Sequence, residues 1–211
     1  RRTGQQHSIP SILIPDAGIQ PRLATGYHFR AILKIMGETE TLVETKELAK
    51  PLKPQELEDE GRNLAEKIRD RIPVIYSSAK KSAVAQNWKI KFNETTKIPS
   101  FCNSIPELNH NEMTGFDFTP ATRELSEKFF FILLADKYDH PKNQKRMSVL
   151  ADWFKNKSWP YSIIPMQGLN HWHKIFSALS LADFTSFYLA EYYGHDPEKV
   201  PLAEEFKRMI R

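Results

Sequence analysis

The chain has 211 residues, 40% hydrophobic, 27% charged and 11% aromatic, a globular composition that excludes a fibre or a disordered segment and provides one well-cored domain, or one domain plus part of another. Its 30 basic and 26 acidic residues are interspersed, and the net charge of +4 is too mild and too mixed for a nucleic-acid footprint, although a locally positive pocket for a phosphorylated small molecule is compatible with it. No apolar run approaches the ~20 residues that a membrane-spanning helix needs.

The sequence opens RRTGQQHSIPSILIP, with neither a methionine nor a signal-peptide pattern, so the expectation is a removed amino terminus or a piece of a longer protein. Residues 10–15, PSILIP, read as a short buried strand, and 21–36 as a helix opened by Pro21 at its first position. Residues 37–54 are polar and carry Pro51 and Pro54, which marks a linker or domain boundary. The division expected is 1–48 and 49–211. From 55 to 70, Leu57, Leu64, Ala65 and Ile68 recur against a charged face, as on an amphipathic surface helix.

Strands are then predicted at 72–76 (IPVIY), 98–102 (IPSFC), 129–135 (FFFILLA) and 161–166 (YSIIPM). Helices are predicted over 80–92, 141–155 and 171–193, with a short helical segment near 107–113 and a final amphipathic helix in PLAEEFKRMIR. FFFILLA is bounded by Lys128 and Asp136 and reads as a buried strand rather than a membrane segment. Short continuous apolar strands alternating with helices predict an α/β fold, a parallel sheet covered on both faces. Such sheets bind ligands outside the carboxyl ends of their strands, where Ser77, Ser78 and the run from Asn103 to Glu112 are expected to lie.

Glu107-Leu-Asn-His-Asn-Glu112 sets one histidine among two asparagines and two carboxylates. Alone this proves little, since Asn and His are common in polar loops and at helix caps. Glu94 lies sixteen residues before His110, and the intervening strand could return the chain so that both side chains meet at the sheet edge as a general acid/base pair. The spacing permits this pairing without demanding it. A metal site finds little support: His171 and His173 are two apart on a helix, where they point away from each other, and no HExxH is present. Cys102, the single cysteine, excludes an internal disulfide framework and fits a reducing compartment, hence the cytoplasm. A Cys102/His110 nucleophile pair is weaker still, because the cysteine belongs to an apolar strand without a thiol-enzyme signature. Glycine-rich phosphate loops are missing, so no nucleotide cofactor is expected.

Four segments together resemble the bifunctional phosphoglucose/phosphomannose isomerases, enzymes built from two sugar-isomerase (SIS) domains. They are PDAGIQPRLATGYHF, IPVIYSSAKKSAVAQNWKIKFNETTKIPSF, IPELNHNEMTGF and LADFTSFYLAEYYGHDPEKVPLAEEFKRMI. The resemblance implies a three-layer SIS domain over 49–211, preceded by a remnant of the first SIS domain over 1–48. It implies interconversion of fructose 6-phosphate with glucose 6-phosphate, and with mannose 6-phosphate, without metal or cofactor. Glu94 then matches the base that moves the proton between C1 and C2. His110 matches the ring-opening histidine, which in the family reaches the site from the neighbouring subunit of a homodimer. Arg22 matches the arginine that stabilises the enediol charge, and Lys207 the lysine that assists at the ring oxygen and the substrate hydroxyls. The family has Asn-Glu-Asn-Ala-Lys around the base, where this chain has Asn93-Glu94-Thr95-Thr96-Lys97. The family's glycine-serine segment and serine/threonine-rich phosphate loop do not appear, so little activity is expected of this chain by itself. From a different class, the competing expectation is a non-catalytic phosphosugar-binding module, which would have no need of Glu94.

Overall fold

A computed structural model describes residues 7, 9–15, 18–116 and 119–210. The chain divides into two compact units, Arg1–Leu52 and Lys53–Arg211. In the first, a 3₁₀ turn at Pro21–Leu23 leads into α1 (Thr25–Met36), and α2 (Thr39–Glu44) follows. Gly37 closes α1 with a left-handed backbone, φ +78°, and sends its N–H to the carbonyls of Leu33 and Lys34. The Arg30 guanidinium ties α1 to the end of α2 through the Leu42 carbonyl at 3.0 Å and Thr45 Oγ1 at 2.9 Å.

The strand expected at 10–15 does not form: the segment is irregular, and Ile12 and Leu13 are exposed. A strand needs a neighbour to take its N–H and C=O groups, and no other strand exists among the described residues of this unit. Asp16 and Ala17, part of the PDAGIQPRLA segment, lie outside the described residues.

The second unit is built on four strands, β1 (Ile72–Ser78), β2 (Phe101–Ile105), β3 (Phe129–Ala135) and β4 (Tyr161–Pro165), all parallel in the order β2-β1-β3-β4. Its helices are α3 (Pro54–Ile68), α4 (Ser82–Lys91), α5 (Glu112–Gly115), α6 (Arg123–Ser126), α7 (Pro141–Asn156), α8 (His171–Tyr192) and α9 (Pro201–Met209). Side chains of successive strand residues point to opposite faces, and the two faces carry two separate cores. Ile75, Phe130, Ile132 and Leu134 pack with Leu64 and Ile68 of α3, Trp88 of α4 and Leu181 and Leu189 of α8. Val74, Tyr76, Phe131 and Leu133 pack with Leu150 and Phe154 of α7, and with Leu108 and Trp159. The result is the expected three-layer α/β sandwich.

Near-continuous apolar runs mark strands buried on both faces, and β3 lies where FFFILLA predicts it. The second strand starts three residues later than expected. Lys97 turns the chain with a left-handed φ of +60°, Pro99 supplies no N–H, and the ladder opens only at Val74 opposite Phe101. Ser100 stitches this entry to β1 by donating to the Pro73 carbonyl at 3.1 Å. The short helical segment near 107–113 divides into a 3₁₀ turn, Glu107–Asn109, and α5.

Candidate functional site

The chain runs outward from β1 to β2 on one side and from β3 to β4 on the other, so the sheet's topological switch point lies between β1 and β3. At its carboxyl edge β1 ends in Ser77 and Ser78, and β3 delivers Asp136 immediately after Ala135. Ser78 donates to Asp139 Oδ1 at 2.8 Å. Asp136, 4% exposed, takes the Tyr138 N–H on Oδ1 at 3.0 Å and two ammonium groups on Oδ2, Lys174 at 2.5 Å and Lys81 at 3.2 Å. Burial alone would push this carboxyl up, but the hydrogen bonds from Lys174, the Tyr138 amide and Lys81 prevail and hold it below the ordinary carboxylate range.

Beside this cluster lie two cavities. One of about 580 Å³ is lined by Lys137, Tyr138, Gln167, Asn170, His171 and Lys174 among others; the second, about 510 Å³, by residues including Ser78, Asp136, Asp139 and Gln144. The sequence reading did not single out Asp136, Lys81 or Lys174. Its available signal was the position of Asp136, the first polar residue after a fully apolar strand, at the edge where parallel sheets place their sites.

His110 also stands at the carboxyl edge, beyond β2. It caps the 3₁₀ turn, giving its N–H to the Glu107 carbonyl at 3.0 Å, and its imidazole is exposed. The turn is anchored two residues earlier by the fully buried Leu108. Two residues later Glu112 accepts hydrogen bonds from the Tyr76 hydroxyl at 2.8 Å and from the Asn103 amide.

Glu94 is exposed as well, in a π-helical turn, Phe92–Thr96, that ends α4. Four ties hold this turn. Lys91, fully buried, pairs with Asp183 of α8; Thr96 Oγ1 donates to the Ser186 carbonyl at 2.8 Å; Asn93 donates to the Ile98 carbonyl at 2.9 Å; and the Lys97 ammonium donates to the carbonyls of Thr95 and Asp196. The backbone under Glu94 is therefore fixed against α8, while its carboxylate faces outward. π-Helical turns are rare and recur at functional positions.

The two candidate side chains do not meet at one sheet edge. After β1 climbs to the carboxyl edge, α4 descends, so Glu94 sits at the amino edge, just before Ser100 and the start of β1. The chain then climbs through β2 to His110. At about 3.3 Å per residue, the five residues of β2 alone carry it roughly 15 Å. One strand between two sites moves the chain from edge to edge; returning it would have required a helix as well. Neither of the two cavities is lined by Glu94, His110 or Lys207. Lys207 lies on α9, whose residues are all exposed, and its ammonium donates to Glu204 at 2.7 Å. Arg22 belongs to the first unit, half-buried in the 3₁₀ turn, where its carbonyl accepts from Thr25 Oγ1 at 3.3 Å.

Residues 57–210 match the model of the bacterial phospho-glucose isomerase C-terminal SIS domain. The chain belongs to this family. Among curated relatives, the bifunctional phosphoglucose/phosphomannose isomerase of Thermoplasma acidophilum is 31% identical over 206 residues, covering 96% of this chain and 63% of the relative. Enzymes of the same name from Caldicellulosiruptor bescii and Aquifex aeolicus are 30% and 29% identical, covering 94% and 92% of this chain and 62% and 59% of their own lengths. The chain thus spans about three fifths of the curated relatives it matches. A solved glucose-6-phosphate isomerase like protein from Thermus thermophilus superposes with a TM-score of 0.68 at 18% identity, over 93% of this chain and 66% of that one, which establishes the shared fold. As expected from ELNHNE and NETTK, the relationship is to the bifunctional phosphoglucose/phosphomannose isomerases, and the residues that match the family model, 57–210, fall within the second unit.

Proposed function

We propose that this chain is part of an aldose–ketose isomerase that interconverts fructose 6-phosphate with glucose 6-phosphate, and with mannose 6-phosphate, by proton transfer through a cis-enediol. Residues 1–48 are the end of a first SIS domain, and the working unit is a homodimer. The observation that carries this reading is the placement of Glu94 and His110, both exposed, on tethered turns at opposite edges of one sheet. A base and a ring-opening histidine so far apart serve one substrate only if the histidine comes from a second chain. Relatives named as phosphoglucose/phosphomannose isomerases support the substrate class.

In this mechanism His110 of the partner chain protonates the ring oxygen as the sugar opens. Glu94 takes the proton from one of the two carbons and returns it to the other, a task for a carboxylate within hydrogen-bond reach. Arg22 steadies the negative charge that develops on the enediol oxygen, and Lys207 orients the substrate hydroxyls. C1 is oxidised as C2 is reduced within the same sugar, so the step needs neither an external oxidant or reductant nor an activated water.

Conversion of fructose 6-phosphate in deuterium oxide by the whole enzyme of which this chain is part tests it: an enediol route washes solvent deuterium into C2 of the glucose 6-phosphate formed, and Glu94→Gln should slow turnover roughly 10²–10⁴-fold. Unchanged turnover in that variant would remove Glu94 from the mechanism. A whole wild-type protein, the missing part of the first SIS domain included, that binds the sugar phosphate and turns none of it over would select the non-catalytic phosphosugar-binding module instead.

A further inference from the structure

Tyr76 and Asn103 are facing partners in the ladder between β1 and β2, so their side chains leave the sheet side by side on the same face. Both donate to one carboxylate, Tyr76 to Oε1 and Asn103 to Oε2 of Glu112. A carboxylate gripped at both oxygens by donors on two rigid strands has little freedom left in its terminal torsion. The strands are themselves fixed: the Tyr76 ring is 1% exposed and stacks on Phe131 with centroids 5.9 Å apart. Burial, reinforced by the Glu112 charge, pushes the Tyr76 phenol far above its ordinary range, so it remains a donor at any physiological pH. Asn103 is fixed in turn, because its Oδ1 accepts the Ser104 N–H at 2.8 Å.

Glu112 lies two residues after His110, and Leu108, fully buried in the α7-side core, lies two before it. His110 is thus the exposed crest of a five-residue turn held at both ends, by an apolar plug on one side and a doubly bonded carboxylate on the other. The apolar plug fixes depth without fixing rotation. The carboxylate, with two directional bonds, fixes rotation. We propose that Glu112, gripped by Tyr76 and Asn103, is the positioning residue that sets the direction in which His110 projects from the carboxyl edge. The clamp rests on the proposed role of His110 for its functional meaning, while its geometry does not depend on turnover.

Two measurements separate these. Histidine-selective nitrogen-15 labelling reads the seven imidazoles, and His110→Asn identifies the signal of His110. In Glu112→Ala that signal shifts or broadens while the other six keep their positions. Tyr76→Phe keeps the ring on Phe131, removes one of the two bonds, and produces the same selective change to a smaller extent; it decides the matter if Glu112→Ala fails to fold. An unmoved His110 signal in the variants that fold overturns the proposal, and so does a change spread evenly over all seven. In the whole enzyme of which this chain is part, with fructose 6-phosphate as substrate, Glu112→Gln lowers kcat about 10- to 100-fold with KM near the wild-type value, the loss expected of a misaimed group. The double variant with His110→Asn is then no slower than His110→Asn alone, and an additive loss overturns the clamp. Full activity in His110→Asn would sink the proposed function, yet the nitrogen-15 signals would still judge the clamp.

Discussion

The ammonium of Lys174 lies 2.5 Å from Asp136 Oδ2, the same oxygen that Lys81 approaches at 3.2 Å. This joins the start of α8 and the segment after β1 to the tip of β3, all three groups being buried. Removing one partner of a buried ion cluster leaves uncompensated charge, so Asp136→Asn should cost about 3–5 kcal/mol at neutral pH in denaturant unfolding. The pH dependence follows from the depressed Asp136 carboxyl. A carboxyl held lower in the folded chain than in the unfolded one stabilises fully above the unfolded value of about 3.9 and loses that contribution as pH falls through its folded value. Wild-type stability should therefore drop below about pH 4 more steeply than that of Asp136→Asn. Parallel acid limbs in the two proteins would contradict the assignment.

The turn under Glu94 hangs on α8 through Thr96, whose hydroxyl donates to the Ser186 carbonyl where both residues are fully buried. Thr96→Val keeps the shape and removes the bond, leaving a buried carbonyl lone pair without this donor. The expected loss is about 1–3 kcal/mol in global stability. Local opening should be affected more than the sheet: amide exchange at 92–97 should accelerate beyond that of β1 and β3. Equal acceleration across both regions would mean that Thr96 supports the domain generally and not this turn.

Gly61 shows how closely α3 and α8 approach. A Cβ built there would stand 2.5 Å from Phe184 Cβ and 2.9 Å from the Thr185 backbone nitrogen. Mid-helix, Gly→Ala normally gains about 1 kcal/mol. Here overpacking, typically about 1–3 kcal/mol, opposes that gain, and because the clash is with a Cβ and with backbone it cannot be relieved by a rotamer change. Gly61→Ala should therefore lower the melting temperature in calorimetry. A rise would mean that the two helices move apart without penalty.

The same particulars explain what the sequence disclosed and what it hid. FFFILLA and IPVIY declared themselves because central strands buried on both faces must be apolar throughout, and α3 did so through Leu57, Leu64, Ala65 and Ile68 on one stripe. The start of β2 was hidden, since Ile98 is as apolar as Phe101, and only the left-handed Lys97 and the Ser100 stitch decide where pairing begins. PSILIP misled because an apolar run states that burial is favourable without stating against what. Glu94 and His110 were legible as residue types in a family pattern. Their separation was not, because sixteen residues of spacing do not reveal that a lone strand lies between them. The Lys81–Asp136–Lys174 cluster joins positions far apart in the chain, and nothing local in the sequence connects them.

The separation of Glu94 from His110 makes a prediction about mixed dimers. If each site uses Glu94 of one chain and His110 of the other, Glu94→Gln and His110→Asn chains of the whole enzyme are each inactive alone. In a heterodimer of the two, one site holds both defects. The other holds an intact Glu94, from the His110→Asn chain, and an intact His110, from the Glu94→Gln chain. Random reassociation of equal amounts of the two chains makes half the dimers mixed, with one of two sites restored, so about a quarter of wild-type turnover should return in a twofold-symmetric assembly. Sites built within single chains would recover nothing on mixing. Monomer exchange after denaturation and refolding, followed by the fructose 6-phosphate assay, distinguishes the two outcomes without any structural measurement.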